Sequence, residues 1–311
     1  MNILLTNVGR RTYFVDYLNY IKKNKFNLKI FISDRTKKVA SFFTDHDYFL
    51  VTPSVINNYK KYIEKLYSLS VKYKINLIIP LSDLDLVPLS MNKKLFKKIN
   101  TDILVSDLNI VNICESKIDL NKFLKLNKLP FSKNYLKIDD IKSKKIIEKP
   151  IKGSGSQDIN IINPKKLNFL KKDYLYQDFI NGTEYGLDIL NDWKGNFISY
   201  CLKRKIEMRG GETDKAMTLN DSRILKLAKK ISLKLKHIGN LDCDLIMDNK
   251  GNIHIIDFNC RFGGGYPFTH SVGLNYLLFM ISQKLPGDLP VLPLKYDEKF
   301  ISKGISIFYE N

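Results

Sequence analysis

Apolar residues along the first hundred positions recur in two rhythms. Residues 3–6, 29–33 and 77–81 are short runs rich in Leu and Ile, closed by Gly, Asp or Pro, and they read as buried strands. Between them Phe14, Tyr17, Leu18 and Ile21 share one face of a helix over 13–23, as Ile63, Leu66, Leu69 and Ser70 do over 59–72. Strand, helix and strand in that alternation predict a doubly wound parallel α/β sheet over residues 1–115. The pattern then changes. A helix over 117–127 stops at Leu129-Pro130, and a strand over 145–149 runs into Pro150. The loop Gly153-Ser154-Gly155-Ser156 separates it from a strand over 159–162, giving a second, smaller unit over 116–180. Over 181–311 the strands come as hairpins. Residues 185–190 and 196–205 flank Asp192-Trp193-Lys194-Gly195, and 241–247 and 253–259 flank Asp248-Asn249-Lys250-Gly251, with a helix over 222–235 between the pairs.

Composition narrows the classes. With 44% hydrophobic and 27% charged residues, the 311-residue chain has the makeup of a globular protein and the length for two or three packed units. No apolar run approaches the roughly 18 residues of a membrane span, so no membrane role is expected. The start MNILLTNVGRR enters a strand without a leader pattern, which implies a cytoplasmic chain. Four cysteines without metal spacing (Cys114, Cys201, Cys243, Cys260) read as buried apolar residues. The net charge of +19 suggests nucleic acid at first sight, but only 7 of the 51 basic residues are Arg. Recognition of bases and strands relies on Arg forks and clustered aromatics. The scattered Lys pairs fit solvated helix faces better, and an anionic small substrate is compatible with the charge. The single glycine of Asn7-Val8-Gly9-Arg10 supports no dinucleotide fingerprint.

The chemistry concentrates in LDCDLIMDNKGNIHIIDFNCRFGGGYP, residues 241–267. Residues two apart on a strand share a face. Asp242 and Asp244 therefore point one way, and Asp257, Asn259 and Arg261 do so on the next strand, while Cys243, Leu245, Phe258 and Cys260 take the apolar side. Facing carboxylates repel, so their convergence asks for a cation. Oxygen donors alone suit Mg²⁺. Arg261 on the same face would meet charge developing on a phosphoryl or acyl-phosphate group. On the strand after 202, alternation places Lys203, Lys205, Glu207 and Arg209 together, as a solvated face or a phosphate- or substrate-holding one. His46, His237, His254 and His270 are scattered, and His270 reads as structural.

Several stretches, in order, resemble the ATP-grasp ligases. Asp257-x-Asn259-x-Arg261-Phe262-Gly263-Gly264-Gly265 is similar to their E-x-N-x-R-F-G-G signature. Ile147-Glu148-Lys149-Pro150 with its Gly/Ser loop resembles the "KP" strand and phosphate loop, and Tyr176–Tyr185 (YQDFINGTEY) resembles the hinge. Cys114-Glu115-Ser116-Lys117 resembles the "DK" that opens the small subdomain, and Asp83-x-Asp85 a motif of the preceding domain. The nearest subgroup is that of stand-alone proteins similar to one unit of the carbamoyl-phosphate synthase large subunit. The resemblance implies an N-terminal pre-ATP-grasp domain (1–115), a small ATP-grasp subdomain (116–180) and a large one bearing the metal (181–311). It implies that Lys117 and Lys149 hold ATP phosphates and that Gly153, Ser154, Gly155 and Ser156 close over them. Phe179 and Ile180 would line the adenine slot, with Gln177 or Asp178 nearby, and Glu184 would take the ribose. Asp244, Asp257 and Asn259 would hold Mg²⁺, expected as two ions, with Asp242 left open. Arg261, Lys205 and Arg209 are the catalytic candidates.

The implied reaction joins a small-molecule carboxylate to an amine through an acyl phosphate, with ATP giving ADP. The chain is too short for the paired units of carbamoyl-phosphate synthesis. Asp stands at 178 and 257 where Glu is usual, and Ser at 116 where Asp is usual. A carboxylate shortened by roughly 1.5 Å keeps its charge but moves its oxygens. That leaves a catalytically weak nucleotide-binding regulator as one alternative and a basic nucleic-acid-binding protein as another, and it leaves a homodimer open.

Overall fold

The computed structural model describes residues 1–151 and 158–309. The loop Gly153, Ser154, Gly155 and Ser156 lies outside the described residues. The first unit alternates β1 (Asn2–Thr6), α1 (Tyr13–Asn24), β2 (Lys29–Asp34), β3 (Tyr48–Val51), α2 (Tyr59–Lys72), β4 (Leu77–Pro80), α3 (Asp83–Lys97) and β5 (Asp102–Ile103). Its five strands run parallel in the order β3-β2-β1-β4-β5. Ile3, Leu4, Leu5, Ile30, Ile32, Leu77, Ile78 and Ile79 are fully buried, because helices cover both faces of a parallel sheet. The pattern in the sequence did not announce β3, or α3 with Pro88 inside it.

Two short helices, α4 (Leu108–Glu115) and α5 (Lys117–Leu126), lead into an antiparallel sheet of β6 (Ile146–Pro150), β7 (Asn160–Ile162) and β8 (Tyr174–Asp178), ordered β7-β6-β8. The third sheet holds β9 (Gly182–Asn191), β10 (Phe197–Arg209), β11 (Glu212–Leu219), β12 (Gly239–Asp248), β13 (Ile253–Asn259) and β14 (Phe300–Ser302), in the order β13-β12-β9-β10-β11-β14. Helices α6 (Ser222–Leu235), α7 (Tyr266–Ser271) and α8 (Tyr276–Ser282) complete it. The fold is thus mixed α/β, with a parallel sheet first and antiparallel sheets after. Strand β11 hid from the pattern because Thr213, Asp214 and Thr218 are buried polar residues on it. Among the described residues no helix is long and apolar enough to cross a membrane.

Two contacts set the first unit against the last sheet. Phe14 of α1 packs edge-on against Phe262 at 5.4 Å and stacks on Tyr266 at 5.6 Å, which fixes the turn between β1 and α1 over the glycine turn 263–265. Behind that turn Asp85 is fully buried and accepts hydrogen bonds from the Thr6 hydroxyl (2.8 Å), the Tyr62 hydroxyl (2.8 Å) and the Asn7 amide (2.5 Å). Burial pushes the Asp85 carboxyl up to about 6, with the three donors pulling the other way. These bonds hold Asn7 in its left-handed conformation (φ 49°), which aims Arg10 and Arg11 across the molecule.

Candidate active site

A cleft of about 540 Å³ separates the three-stranded sheet from the six-stranded one. Lys117 enters it from the start of α5, Lys149 from β6, Glu184 from β9, Lys203 and Lys205 from β10. Asp242 and Asp244 come from β12, and Asp257, Asn259 and Arg261 from β13 and the turn beyond it. The register is the one the alternation requires. Asp244 lies directly opposite Asp257, and Asp242 opposite Asn259, while Cys243 and Phe258 pair on the buried side. Leu245 departs from that alternation. A bulge after Asp244 skips Ile256, so Leu245 and Ile256 both line the cleft.

The charges explain how two facing acids coexist. Lys205 reaches Asp244 at 2.6 Å and Glu184 at 3.8 Å. Burial raises the Asp257 carboxyl to about 6, against the pull of Lys117 and Lys149. Burial likewise lowers the Lys149 ammonium to about 8, although Asp257 draws it upward. Asp242 is raised by burial and then by Asp188 and Asp244. Such a cluster fits a divalent cation: its donors are hard oxygens, and among the described residues the hydrogen bond Asp257 accepts comes from the backbone N–H of Phe258 (3.1 Å). Among the described residues no three His, Cys, Asp or Glu side chains converge as a closed metal cage. Asp244, Asp257 and the Asn259 amide make a partial set, as Mg²⁺ sharing its shell with phosphate and water needs.

Beside this set Ile147, Ile161, Phe179, Leu245, Ile246 and Ile256 form an apolar wall in the same cleft. Phe179 and Glu184 were expected there; the five aliphatic residues were not, since each reads as ordinary core on its own strand. Three other hinge residues, Gln177, Asp178 and Ile180, adjoin Phe179 without lining the cleft in this structure. Gln177 is buried, its amide donating to the Ser132 carbonyl (3.2 Å) and to Asn134 Oδ1 (2.6 Å). Asp178 accepts from the Tyr135 hydroxyl (2.7 Å) and from the Ser143 hydroxyl. Neither side chain lines the cleft, nor does that of Ile180.

Arg209 is corrected as well. The expected face of Lys203, Lys205, Glu207 and Arg209 is interrupted by irregular pairing between Lys205, Glu207 and Met208. Such a break reverses which side chains face inward. Met208 lines the cleft instead, and Arg209 pairs outside it with Asp214 at 3.0 Å. Lys203 goes deeper: fully buried, it meets Asp188 at 2.6 Å, and Asp188 also accepts from the Thr269 hydroxyl. His270 stacks on Tyr17 at 3.6 Å, and burial lowers its pKa to about 4, consistent with a structural ring.

Arg261 holds a partner that spacing could not reveal. Its Nε donates to Asp83 Oδ1 (2.7 Å) and its Nη2 to Asp83 Oδ2 (2.6 Å), a bidentate pair spanning 178 residues. Asp242 stands 3.9 Å away on the other side. Burial lowers the guanidinium pKa, but these two acids more than reverse it. Gly263 permits the approach, since a Cβ there would lie 1.9 Å from Asp242 Oδ2.

Residues 114–265 match the ATP-grasp domain family, and residues 3–104 match the PylC-like N-terminal domain. The chain carries an ATP-grasp domain. No curated protein sequence matches it. Among solved structures, biotin carboxylase of Campylobacter jejuni, in a β,γ-ATP complex, aligns with a TM-score of 0.71 at 15% identity, over 89% of this chain and 69% of its own. The biotin carboxylase domain of Hydrogenobacter thermophilus 2-oxoglutarate carboxylase, a dimer with MgADP and bicarbonate, gives 0.69 at 15%, over 89% and 67%. The L-amino acid ligase of Bacillus licheniformis gives 0.64 at 14%, over 91% and 73%. At these identities the likeness is one of fold, and it places this chain's three sheets in the ATP-grasp arrangement.

Proposed function

We propose that the protein is an ATP- and Mg²⁺-dependent ligase that joins a small-molecule carboxylate to an amine through an acyl phosphate. One observation carries the reading: cations and oxygen donors from separate segments, Lys117, Lys149, Asp244, Asp257 and Asn259, meet in one cleft beside an apolar wall. The wall takes the adenine between Ile147, Phe179 and Ile246, and Glu184 stands at its exposed edge for the ribose. Lys117 and Lys149 take the phosphates. Asp244, Asp257 and Asn259 would hold Mg²⁺, which supplies charge neutralisation on the phosphate oxygens. The acid's oxygen accepts the terminal phosphoryl group as ADP leaves; the amine then displaces phosphate from the acyl carbon. Lys205, poised on Asp244, and Arg261, held by Asp83, supply the fixed positive charge between which the phosphoryl group passes. Electrostatic positioning of this kind needs no protein nucleophile. The MgADP and β,γ-ATP complexes of the two carboxylases support nucleotide binding on this fold, and the L-amino acid ligase supports a ligase reading of it.

The test is ADP release from Mg-ATP in the presence of candidate acids, with hydroxylamine as a general amine that traps acyl phosphate as hydroxamate. Binding of Mg-ATP is followed separately by calorimetry. Tight Mg-ATP binding with no acid-dependent ADP release, across amino acids and dicarboxylic acids, would replace the ligase with a nucleotide-binding regulator.

A further inference from the structure

The cleft continues past Arg261 to a corner formed by the turn after β1, the start of β11 and the glycine turn before α7. There Glu212 is faced by three cations: Arg10 Nη2 at 3.2 Å, Arg11 Nη2 at 3.9 Å and Lys303 Nζ at 3.9 Å. Lys303 is tied down further by donating to the Gly264 carbonyl at 2.6 Å, and Arg10 by a contact to the Gly210 carbonyl at 3.5 Å. Glu212 packs against the bare Gly264 backbone: a Cβ there would lie 2.7 Å from Glu212 Cδ. Arg10, Arg11, Glu212, Gly264 and Phe268 all line the cleft that holds Arg261.

Elsewhere in the cleft three cations each have a carboxylate of their own: Lys203 has Asp188, Lys205 has Asp244, and Arg261 has Asp83. Just outside it Arg209 has Asp214, which also draws on Lys303. Here one carboxylate serves three cations. Glu212 is accordingly held below its usual range, with burial opposing Arg11, Arg10 and Lys303. For two of these cations Glu212 does not offset burial. Burial lowers both Arg11 and Lys303 by more than Glu212 restores, with Arg261 and Lys203 adding repulsion. Partly buried positive charge of this kind is costly unless an anion completes it.

We propose that the corner formed by Arg10, Arg11 and Lys303 around Glu212 receives a second anionic group, carboxylate or phosphate, on the acid that the enzyme ligates. The inference rests on the ligase reading and makes Arg10 and Arg11 its specificity residues: one end of the acid meets the phosphoryl group at Arg261, and the other displaces Glu212 from the arginines. Paired, charge-assisted bonds from guanidinium groups suit either anion.

Calorimetry in the presence of Mg-ADP measures the binding of glutarate, 4-phosphonobutyrate and pentanoate, three acids of similar reach. At least one doubly anionic acid should bind on the order of tenfold or more tighter than pentanoate, the scale of one charge-assisted contact. Preference for glutarate or for 4-phosphonobutyrate tells which anion the corner takes. Arg11→Gln should abolish the preference, and Arg10→Gln, at an exposed position that tolerates change, should reduce it. Glu212→Gln should move the other way and tighten the favoured dianion several-fold, because it removes the competitor; a merely structural Glu212 would leave affinity unchanged or lower it. Equal binding of all three acids, no binding of either dianion, or loss of dianion affinity in Glu212→Gln overturns the proposal. ADP release with hydroxylamine separates this from the ligase reading. Turnover without dianion preference removes the corner alone, and dianion preference without turnover of any acid removes the ligase.

Discussion

The metal end of the cleft and the Arg261 end differ in where their residues come from. Asp244, Asp257 and Asn259 lie on one hairpin, in register across two adjacent strands, so local alternation alone brings them together. Arg261 meets Asp83 from 178 residues away, and Arg11 meets Glu212 from 201 (212 − 11), through packing of the first unit on the last sheet. The first end depends on hairpin register; the second depends on the aromatic contact of Phe14 with Phe262 and Tyr266 and on the buried bonds of Asp85. Damage to the domain contact should therefore disturb the chemistry of the acid while sparing the nucleotide.

The largest expected effect tests the metal end. Asp257→Asn removes a charge that the cation would use and should weaken Mg-ATP binding by on the order of 10² or more, read by calorimetry. The same variant should raise the thermal stability of the nucleotide-free protein. In the fold Asp257 titrates near 6 instead of 3.8, so its ionised form is destabilising at neutral pH, and stability is lost as pH rises through 4 to 6. An amide removes that burden, by on the order of 1–3 kcal/mol. Weaker nucleotide binding in a more stable protein separates a binding role from simple misfolding.

At the other end, Arg261→Ala should lower turnover by on the order of 10² while Mg-ATP affinity stays within a few-fold, because the cation serves charge that moves onto the acyl phosphate. Asp83→Asn should fall in between, keeping the guanidinium but loosening its aim, with ADP release reduced roughly tenfold. If both variants lose Mg-ATP affinity in step, Arg261 belongs to the metal end and the contrast between the ends fails.

A smaller effect is expected from pH. In the free protein Asp257 protonates below about 6 and Lys149 loses its proton above about 8. Mg-ATP affinity should thus peak between those values, falling on the acid side as a metal ligand is neutralised and on the alkaline side as a phosphate-binding charge is lost. Lys149→Arg, which stays charged, should flatten the alkaline limb alone.

What the sequence made legible follows the same division. The β12–β13 pairing, the turn at 248–251 and the face shared by Asp257, Asn259 and Arg261 are readable because strand period and turn chemistry are local. The Asp83–Arg261 pair was invisible because nothing local marks either residue as the other's partner. Arg209 was misplaced because irregular pairing around Glu207 cannot be read from alternation. The apolar wall at Leu245, Ile246 and Ile256 went unread for a related reason, since a bulge turns one residue of a core pattern into the cleft. In the hinge, the partners of Gln177 and Asp178 lie some 35 to 45 residues earlier in the chain, where no local pattern marks them.

The smallest expected effect concerns that hinge. Gln177 and Asp178 precede Phe179, and the structure commits their side chains to Ser132, Asn134, Tyr135 and Ser143, none of which lines the cleft. Gln177→Ala would remove two hydrogen bonds but leave the Ser132 carbonyl and Asn134 Oδ1 with the Asn121 amide as donor, a loss of about 1–2 kcal/mol of stability. Nucleotide affinity should change less than threefold, because the Phe179 backbone, just past β8, still donates its N–H to the Lys145 carbonyl at 3.2 Å. Asp178→Asn should behave alike, as its amide oxygen can still accept from Tyr135 and Ser143. Thermal unfolding and Mg-ATP calorimetry on the same preparations decide the matter. A tenfold loss of affinity without loss of stability would return these side chains to the nucleotide and show that binding draws the hinge into a different arrangement.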